Sequence, residues 1–429
     1  MKYLLILFLQ VVHTGVLPAQ IAPAHIVVLV LENKSYSQVA GNPLTPFINS
    51  VIADGHTALF TQSYGLTYPS QPNYLHLFSG SSQGIATNDL PTGLPFVAPN
   101  LGAALLQKGF SFAGYSEDLP AAGYNGEVSG AYARKHNPWV NWQGNAANGI
   151  PATLNKPFTE FPSDFSTLPT VCFVIPNQDN DMHNGTLEEA LAKGDAWVQR
   201  NLSGYIRWCK SNNSVFMITF DEDDHFHNNQ ILTSVTGEQV IAGNYSQPLT
   251  HYNILRTIQD LYLLPYAGKS ADSAAIKSIW KKVAVCKGGG IALTANITAN
   301  TYQWQVNAGS GFVNIANNAN YNGANTATLQ LVNTPSAWDG YRYRCQGDTG
   351  YSNTQTITIN NYWVGAVSDA WENPLNWNCG STPDASTNVI VHTNRPLALN
   401  SSVTVKSFTI SGGGIVTQKS NQQLIIAPK

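Results

Sequence analysis

Two apolar runs in this chain stop at acids. His25-Ile26-Val27-Val28-Leu29-Val30-Leu31 ends at Glu32-Asn33, and Ser214-Val215-Phe216-Met217-Ile218-Thr219-Phe220 ends at Asp221-Glu222. Ser70, held between prolines, lies between these runs, as do Lys135-His136 and Asp181 with His183; His251 follows the second run. Carboxylates with one carboxamide and one hydroxyl suit a hard divalent cation bound through oxygen. No cysteine joins the set, so a structural zinc site is not expected. Histidines beside it suit a substrate whose negative charge develops on oxygen. A serine next to a metal is a competent nucleophile, because coordination favours the alkoxide. The set reads as metal-assisted phosphoryl or sulfuryl transfer through Ser70. Taken singly, each piece has a plainer use: Ser70 as a helix cap, Asp221 to Asp224 as a solvated acidic loop, and His251 as a capping or core histidine. His225 and His227 are read as loop residues.

The elements that must position these groups follow from patterning. An uninterrupted apolar run is the signature of a strand buried on both faces, and open α/β sheets build their sites at the carboxyl ends of such strands. Val171 to Ile175 is a third such run. Between the strands lie helix signals. Thr45 is a candidate cap with Pro46 at the first helical position, and Phe47, Ile48, Val51 and Ile52 form one stripe. Asn100 is a cap for a helix to Gly109, and Thr186-Leu187-Glu188-Glu189 is a capping box. Thr250 to Leu264 is amphipathic, with His251 in its first turn. Alternating strands and helices predict an α/β domain with a mostly parallel sheet covered on both faces. The stretch from Glu117 to Phe165 has no clear period, but its aromatics and Tyr132-Ala133-Arg134-Lys135-His136-Asn137-Pro138 predict an ordered, functional loop.

Composition excludes some partners. Charged residues are 11% of the 429 and the net charge is −3, which leaves no electrostatic footprint for nucleic acid. Met1 to Leu9 is a positive residue and a short apolar run, followed by small residues near Ala19, as in a secretory signal peptide over 1–20. That run is too short to span a bilayer, and no later stretch is long enough. The chain is therefore expected outside the cell or on its surface. The catalytic domain is expected over 21–282. From Val283 onward no helical pattern remains. Cys286, Trp304 and Cys345, with Tyr343 two residues before the second cysteine, fit an immunoglobulin-like sandwich over 283–361 and predict a Cys286–Cys345 disulfide. A small Trp-rich β module is expected over 362–429, resembling the repeats that follow immunoglobulin-like domains in secreted Bacteroidetes-type proteins. Cys172 and Cys209 are either paired or buried free thiols, and Cys379 has no evident partner. From fold class alone, the β modules are expected to contact glycan or protein at the cell surface.

Leu31-Glu32-Asn33-Lys34-Ser35-Tyr36, Pro69-Ser70-Gln71-Pro72-Asn73-Tyr74, Tyr132 to Pro138, Asp181-Met182-His183 and Phe220-Asp221-Glu222 resemble, in order, the secreted acid phosphatase/phospholipase C phosphoesterase family of the alkaline-phosphatase-like superfamily. The resemblance runs from His25 to Pro265. It implies an alkaline-phosphatase-like α/β core and a divalent metal (calcium, magnesium or zinc) on Glu32, Asn33, Ser70, Asp221 and Glu222. It implies Ser70, His183 and His251 as catalytic residues, and Asn73, Lys135, His136 and Asp181 as substrate-binding. The phospholipase branch carries an arginine after the Pro-Asn pair, where this chain has Tyr74, and sulfatases also need an arginine there. A phosphomonoesterase is thus the expected activity. A phospholipase C-like phosphodiesterase acting on a lipid head group and a non-catalytic surface protein are the alternatives.

Overall fold

The computed structural model describes residues 22–295, 297–348, 350–391, 395–410 and 415–427. The expected leader over 1–20 lies outside them. The first region is built on one twisted sheet. Its main strands are β1 (His25–Leu31), β2 (Thr57–Tyr64), β3 (Phe112–Ser116), β4 (Asn155–Pro157), β5 (Val171–Ile175), β6 (Ser214–Phe220), β7 (Gln230–Gly237) and β8 (Gly243–Tyr245). They lie in the order β8-β2-β7-β6-β1-β5-β3-β4, and a short ninth strand, Leu249–Thr250, pairs with β2. β1 is parallel to both β5 and β6, and β3 is parallel to β4 and β5. β7 is the antiparallel member, between β6 and β2. The sheet is mostly parallel, as the buried runs predict.

Among the described residues, six α-helices cover it: α1 (Tyr36–Val39), α2 (Pro46–Ile52), α3 (Ser70–Ser79), α4 (Leu101–Gln107), α5 (Leu187–Cys209) and α6 (His251–Leu261). The period-2 geometry of β1 sends Ile26, Val28 and Val30 to one face and Val27, Leu29 and Leu31 to the other. The first face packs under α3, α4 and α6 through Leu75, Phe78, Leu105, Ile254 and Ile258. The second packs under α2 and α5 through Ile48, Val51, Leu191, Trp197 and Leu202. Each fully buried aliphatic side chain contributes about 1.5–3 kcal/mol, so the central strands are fixed most firmly, and their carboxyl ends with them. The aperiodic stretch after Glu117 is ordered through short 3₁₀ turns, and its Trp139 and Trp142 plug into the first core.

Beyond Trp280 the described residues form β structure. Lys282–Val285, Tyr302–Asn307, Phe312–Asn314, Arg342–Gly347 and Gln355–Tyr362 share one sheet, and Ile291–Thr294, Tyr321–Asn322 and Thr328–Leu331 form a second. Trp304, Leu329, Tyr343, Cys345 and Ile357 pack into one core there. The Gln355–Tyr362 strand crosses the expected boundary at 361 and takes Asn388–Val391 as a parallel neighbour. A small tryptophan cluster, Trp363, Trp371 and Trp377, carries the last module. No helix among the described residues is long and apolar enough to cross a membrane.

The expected Cys286–Cys345 disulfide is corrected. Cys286 is bonded to Cys379, with Cα atoms 5.6 Å apart, and Cys345 is a buried free thiol. The physical reason is sheet membership. Cys286 follows the Lys282–Val285 strand, which pairs with Gln355–Tyr362, which in turn pairs with the strand of Cys345. Two strand spacings are about 10 Å, beyond disulfide reach. Cys345 instead lies directly opposite Trp304 on the neighbouring strand. Cys172 and Cys209 are both free and buried.

Candidate active site

The register of β1 on β6 aligns Leu31 with Phe220. The residues that follow, Glu32 and Asp221, therefore leave adjacent parallel strands side by side. Asn33 turns there with φ 49°, a left-handed conformation that asparagine tolerates better than most residues. That turn aims its main-chain N–H at Asp221 Oδ1 (3.1 Å) and its Nδ2 at Glu222 Oε1 (3.0 Å). Ser70 opens α3, where the positive end of the helix favours negative charge. Its Oγ donates to Glu32 Oε2 at 3.0 Å.

His136 arrives on the 3₁₀ turn Arg134–His136 and is buried between two acids. Nε2 is 3.3 Å from Glu32 Oε2 without hydrogen-bond geometry, and Nδ1 is 3.5 Å from Asp181 Oδ2. Asp181 takes the His183 N–H on Oδ1 at 2.8 Å, and its carbonyl takes the Glu32 N–H. His183 is half-buried, its ring 6.5 Å from that of His136. Lys135 is half-buried and lines a cavity of about 270 Å³ with Gln71, Arg134 and Gln178.

The structure thus brings together Glu32, Asn33, Ser70, His136, Asp181, Asp221 and Glu222, with His183 and Lys135 at the rim. Two expected residues are used differently. Asn73 donates to Glu222 Oε2 (3.0 Å) and to the Thr67 carbonyl, and its Oδ1 accepts from the Leu66 and Thr67 N–H groups. Its carboxamide is fully committed to holding Glu222 and the turn before α3, which leaves no donor for substrate. His251 is buried, and its Nε2 donates to the Phe220 carbonyl at 2.9 Å. It straps the strand end that carries Asp221, and no hydrogen bond joins it to Ser70 or to a carboxylate among the described residues.

Sequence reading passed over three contributors. The Tyr74 hydroxyl donates to Glu32 Oε1. Buried Lys34 donates from Nζ to the Met182 carbonyl at 2.7 Å. Asp223 accepts from the Tyr68 hydroxyl and from the N–H groups of His225, His227 and Asn229, so it organises the loop instead of solvating it. Only Tyr74 carried a signal: it lies four residues after Ser70, on the same helix face.

The charges in this site are poorly balanced. Burial, then Glu32 and Glu222, pushes the Asp221 carboxyl well above the carboxylate range. Burial, then Glu32, raises Glu222 to about 8. Burial raises Asp181 to about 7 and lowers His136 to about 4. Asn33 Oδ1, Asp181 Oδ2 and Asp221 Oδ2 are buried acceptors without a donor among the described residues. Orphaned buried oxygens cost free energy unless a proton or a cation meets them. A hard divalent cation fits this donor set. A second acidic group, Asp223, Asp224 and His227, is closed by its own contacts, His227 Nδ1 lying 2.6 Å from Asp224 Oδ1.

A mixed α/β sheet thus carries a buried serine beside a nest of acids at its strand ends. The sequence profile of the Phosphoesterase family matches residues 44–265. The chain belongs to that family and is a hydrolase acting on phosphate ester bonds. It is 45% identical over 259 residues to a phosphatidylinositol-3-phosphatase of Mycobacterium tuberculosis, covering 60% of this chain and 83% of that one. It is 29% identical over 252 residues to a phosphate-repressible acid phosphatase of Penicillium chrysogenum, covering 56% of this chain and 59% of the relative. Among solved structures, a protein in the alkaline phosphatase superfamily from Vibrio parahaemolyticus is similar at 11% identity and a TM-score of 0.44, over 80% of this chain and 84% of that one.

Proposed function

We propose that this phosphoesterase is an exported, metal-dependent acid phosphatase that cleaves phosphomonoesters through Ser70 and a phosphoserine. The observation that carries the reading is the Ser70 Oγ–Glu32 Oε2 hydrogen bond at the head of α3, beside buried acceptors that have no donor. Glu32, Asn33, Ser70, Asp221 and Glu222 would hold the divalent cation. When bound, it supplies positive charge at the phosphoryl oxygens and favours the serine alkoxide. Ser70 Oγ attacks phosphorus in line, its proton leaving through the hydrogen bond to Glu32. As the P–Oγ bond forms, the P–O bond to the leaving group breaks. His183, half-buried at the mouth, suits protonation of the departing alkoxide. His136 and Lys135 suit the phosphoryl oxygens. Water then attacks phosphorus, its proton passing to His183; the P–Oγ bond breaks, Ser70 Oγ takes back the proton held at Glu32, and phosphate leaves.

The Mycobacterium tuberculosis relative is named for a phosphoinositide, so a monoester on a lipid head group belongs in the substrate panel beside an aryl phosphate and an aryl phosphodiester. Ser70→Ala should abolish turnover of the aryl monoester while its circular dichroism stays that of the wild type. Retained turnover would sink the serine mechanism. Chelation should abolish activity and metal should restore it. A large preference for the diester would turn the reading to a phosphodiesterase. The C-terminal β region is read as a positioning module for glycan or protein outside the cell.

A further inference from the structure

Tyr74 is buried one turn along α3 from Ser70. Its hydroxyl donates to Glu32 Oε1, and its ring stacks on His136 with centroids 5.2 Å apart and planes 18° apart. The other oxygen, Glu32 Oε2, accepts from Ser70 and faces His136 Nε2. The two oxygens of one carboxylate are thus divided between two residues of a single helix. Positions i and i+4 share a helix face, so α3 carries both the hydroxyl of Ser70 and the group that fixes the far side of Glu32.

The geometry points to Tyr74 as a positioning residue that occupies Glu32 Oε1 and leaves Oε2 as the one carboxylate oxygen facing the cation and Ser70. The inference rests on the metal-dependent reading above. Carboxylates bind divalent cations through one oxygen or through both. With Oε1 free, Glu32 can close on the ion with both oxygens and take a position needed by Ser70 or a phosphoryl oxygen. The Tyr74 hydroxyl prevents this and also satisfies a buried acceptor that would otherwise be orphaned.

Tyr74→Phe removes the hydroxyl and keeps the ring against His136. Titrate Mg²⁺, Ca²⁺ and Zn²⁺ into wild type and variant by calorimetry, and measure p-nitrophenyl phosphate hydrolysis at saturating metal. The variant should bind the tightest of these ions at least as well as wild type. Its kcat should fall by about tenfold or more, with KM changed by less than about twofold. The metal-free variant should melt lower than wild type, and metal should raise its Tm by more than it raises that of wild type, because the ion now satisfies Oε1. Weaker metal binding, an unchanged kcat at saturating metal, or a Tm no more responsive to metal would each overturn the assignment. Should wild type bind metal yet hydrolyse no phosphate ester, the phosphatase reading fails, while calorimetry and melting still decide the role of Tyr74. Failure of all three ions to bind wild type overturns both.

Discussion

Glu32 shows how much one side chain can organise. Its main-chain N–H is held by Asp181, its Oε2 by Ser70 and its Oε1 by Tyr74. Glu32→Gln keeps the shape and removes the charge. It should lower metal affinity and kcat together, by about tenfold or more each, with the fold retained; calorimetry and steady-state kinetics check this. His76 makes a separate prediction at the same scale. Burial, then His251 and Lys269, lowers its imidazole to about 4 from 6.5. Between those values the unfolded chain binds the proton and the folded chain does not, so stability falls as pH drops from 6.5 toward 4. His76→Gln should flatten that part of the curve, read as the difference in Tm between variant and wild type across the window. An unchanged slope would show that burial does not lower the His76 imidazole in the folded chain.

Helix ends were partly legible. The Thr186–Glu189 capping box opens α5, and Asn100 caps α4 on the Ala103 N–H at 2.8 Å. Thr45 was the expected cap of α2, but its hydroxyl turns back to the carbonyls of Val39 and Asn42. The cap comes from Asp195 on α5, whose carboxylate accepts from the Phe47 and Ile48 N–H groups at 3.0 and 2.7 Å. Those two residues lie nearly 150 positions from Asp195, so local pattern had no access to the contact. Asp195→Ala leaves two buried donors unmet and should cost about 1–3 kcal/mol in urea denaturation. The kcat should be unchanged, since α2 packs on the sheet face opposite α3.

At the scale of the whole molecule, the first core takes in residues beyond α6. Ile276, Ile279 and Trp280 are buried in it, and the Trp280 indole N–H donates to the Ile276 carbonyl. The β region begins at Lys282 and meets the first region through Asn353 to the Tyr245 hydroxyl at 2.9 Å, Arg395 to the Gln107 carbonyl, and a small apolar cluster in which Leu263 packs against Ala284, Tyr362 and Ile390. A chain of residues 22–281 should therefore fold and keep the full-length kcat on a small aryl phosphate. A truncation before Ile276 should instead lose solubility or Tm, because it opens the core. Loss of kcat in 22–281 would make the β region part of the catalytic fold.

The sequence alone determined the central strands of the sheet, their two-sided burial and the acids at their ends, because those depend on unbroken apolar runs and on where they stop. Outer strands such as Thr57–Tyr64 and Gln230–Gly237 carry no such run and came only from the tertiary structure. It also determined Ser70 at the head of a helix, from local chemistry. The tertiary structure decided which groups meet: His136 between Glu32 and Asp181, Tyr74 on the far oxygen of Glu32, Asn73 spent on Glu222, and Cys286 on Cys379. Each of these depends on the tertiary fold, which brings together residues from 42 to 149 positions apart, and no short-range pattern encodes that distance. Two acids at strand ends became one buried acidic site only when β1 and β6 paired side by side.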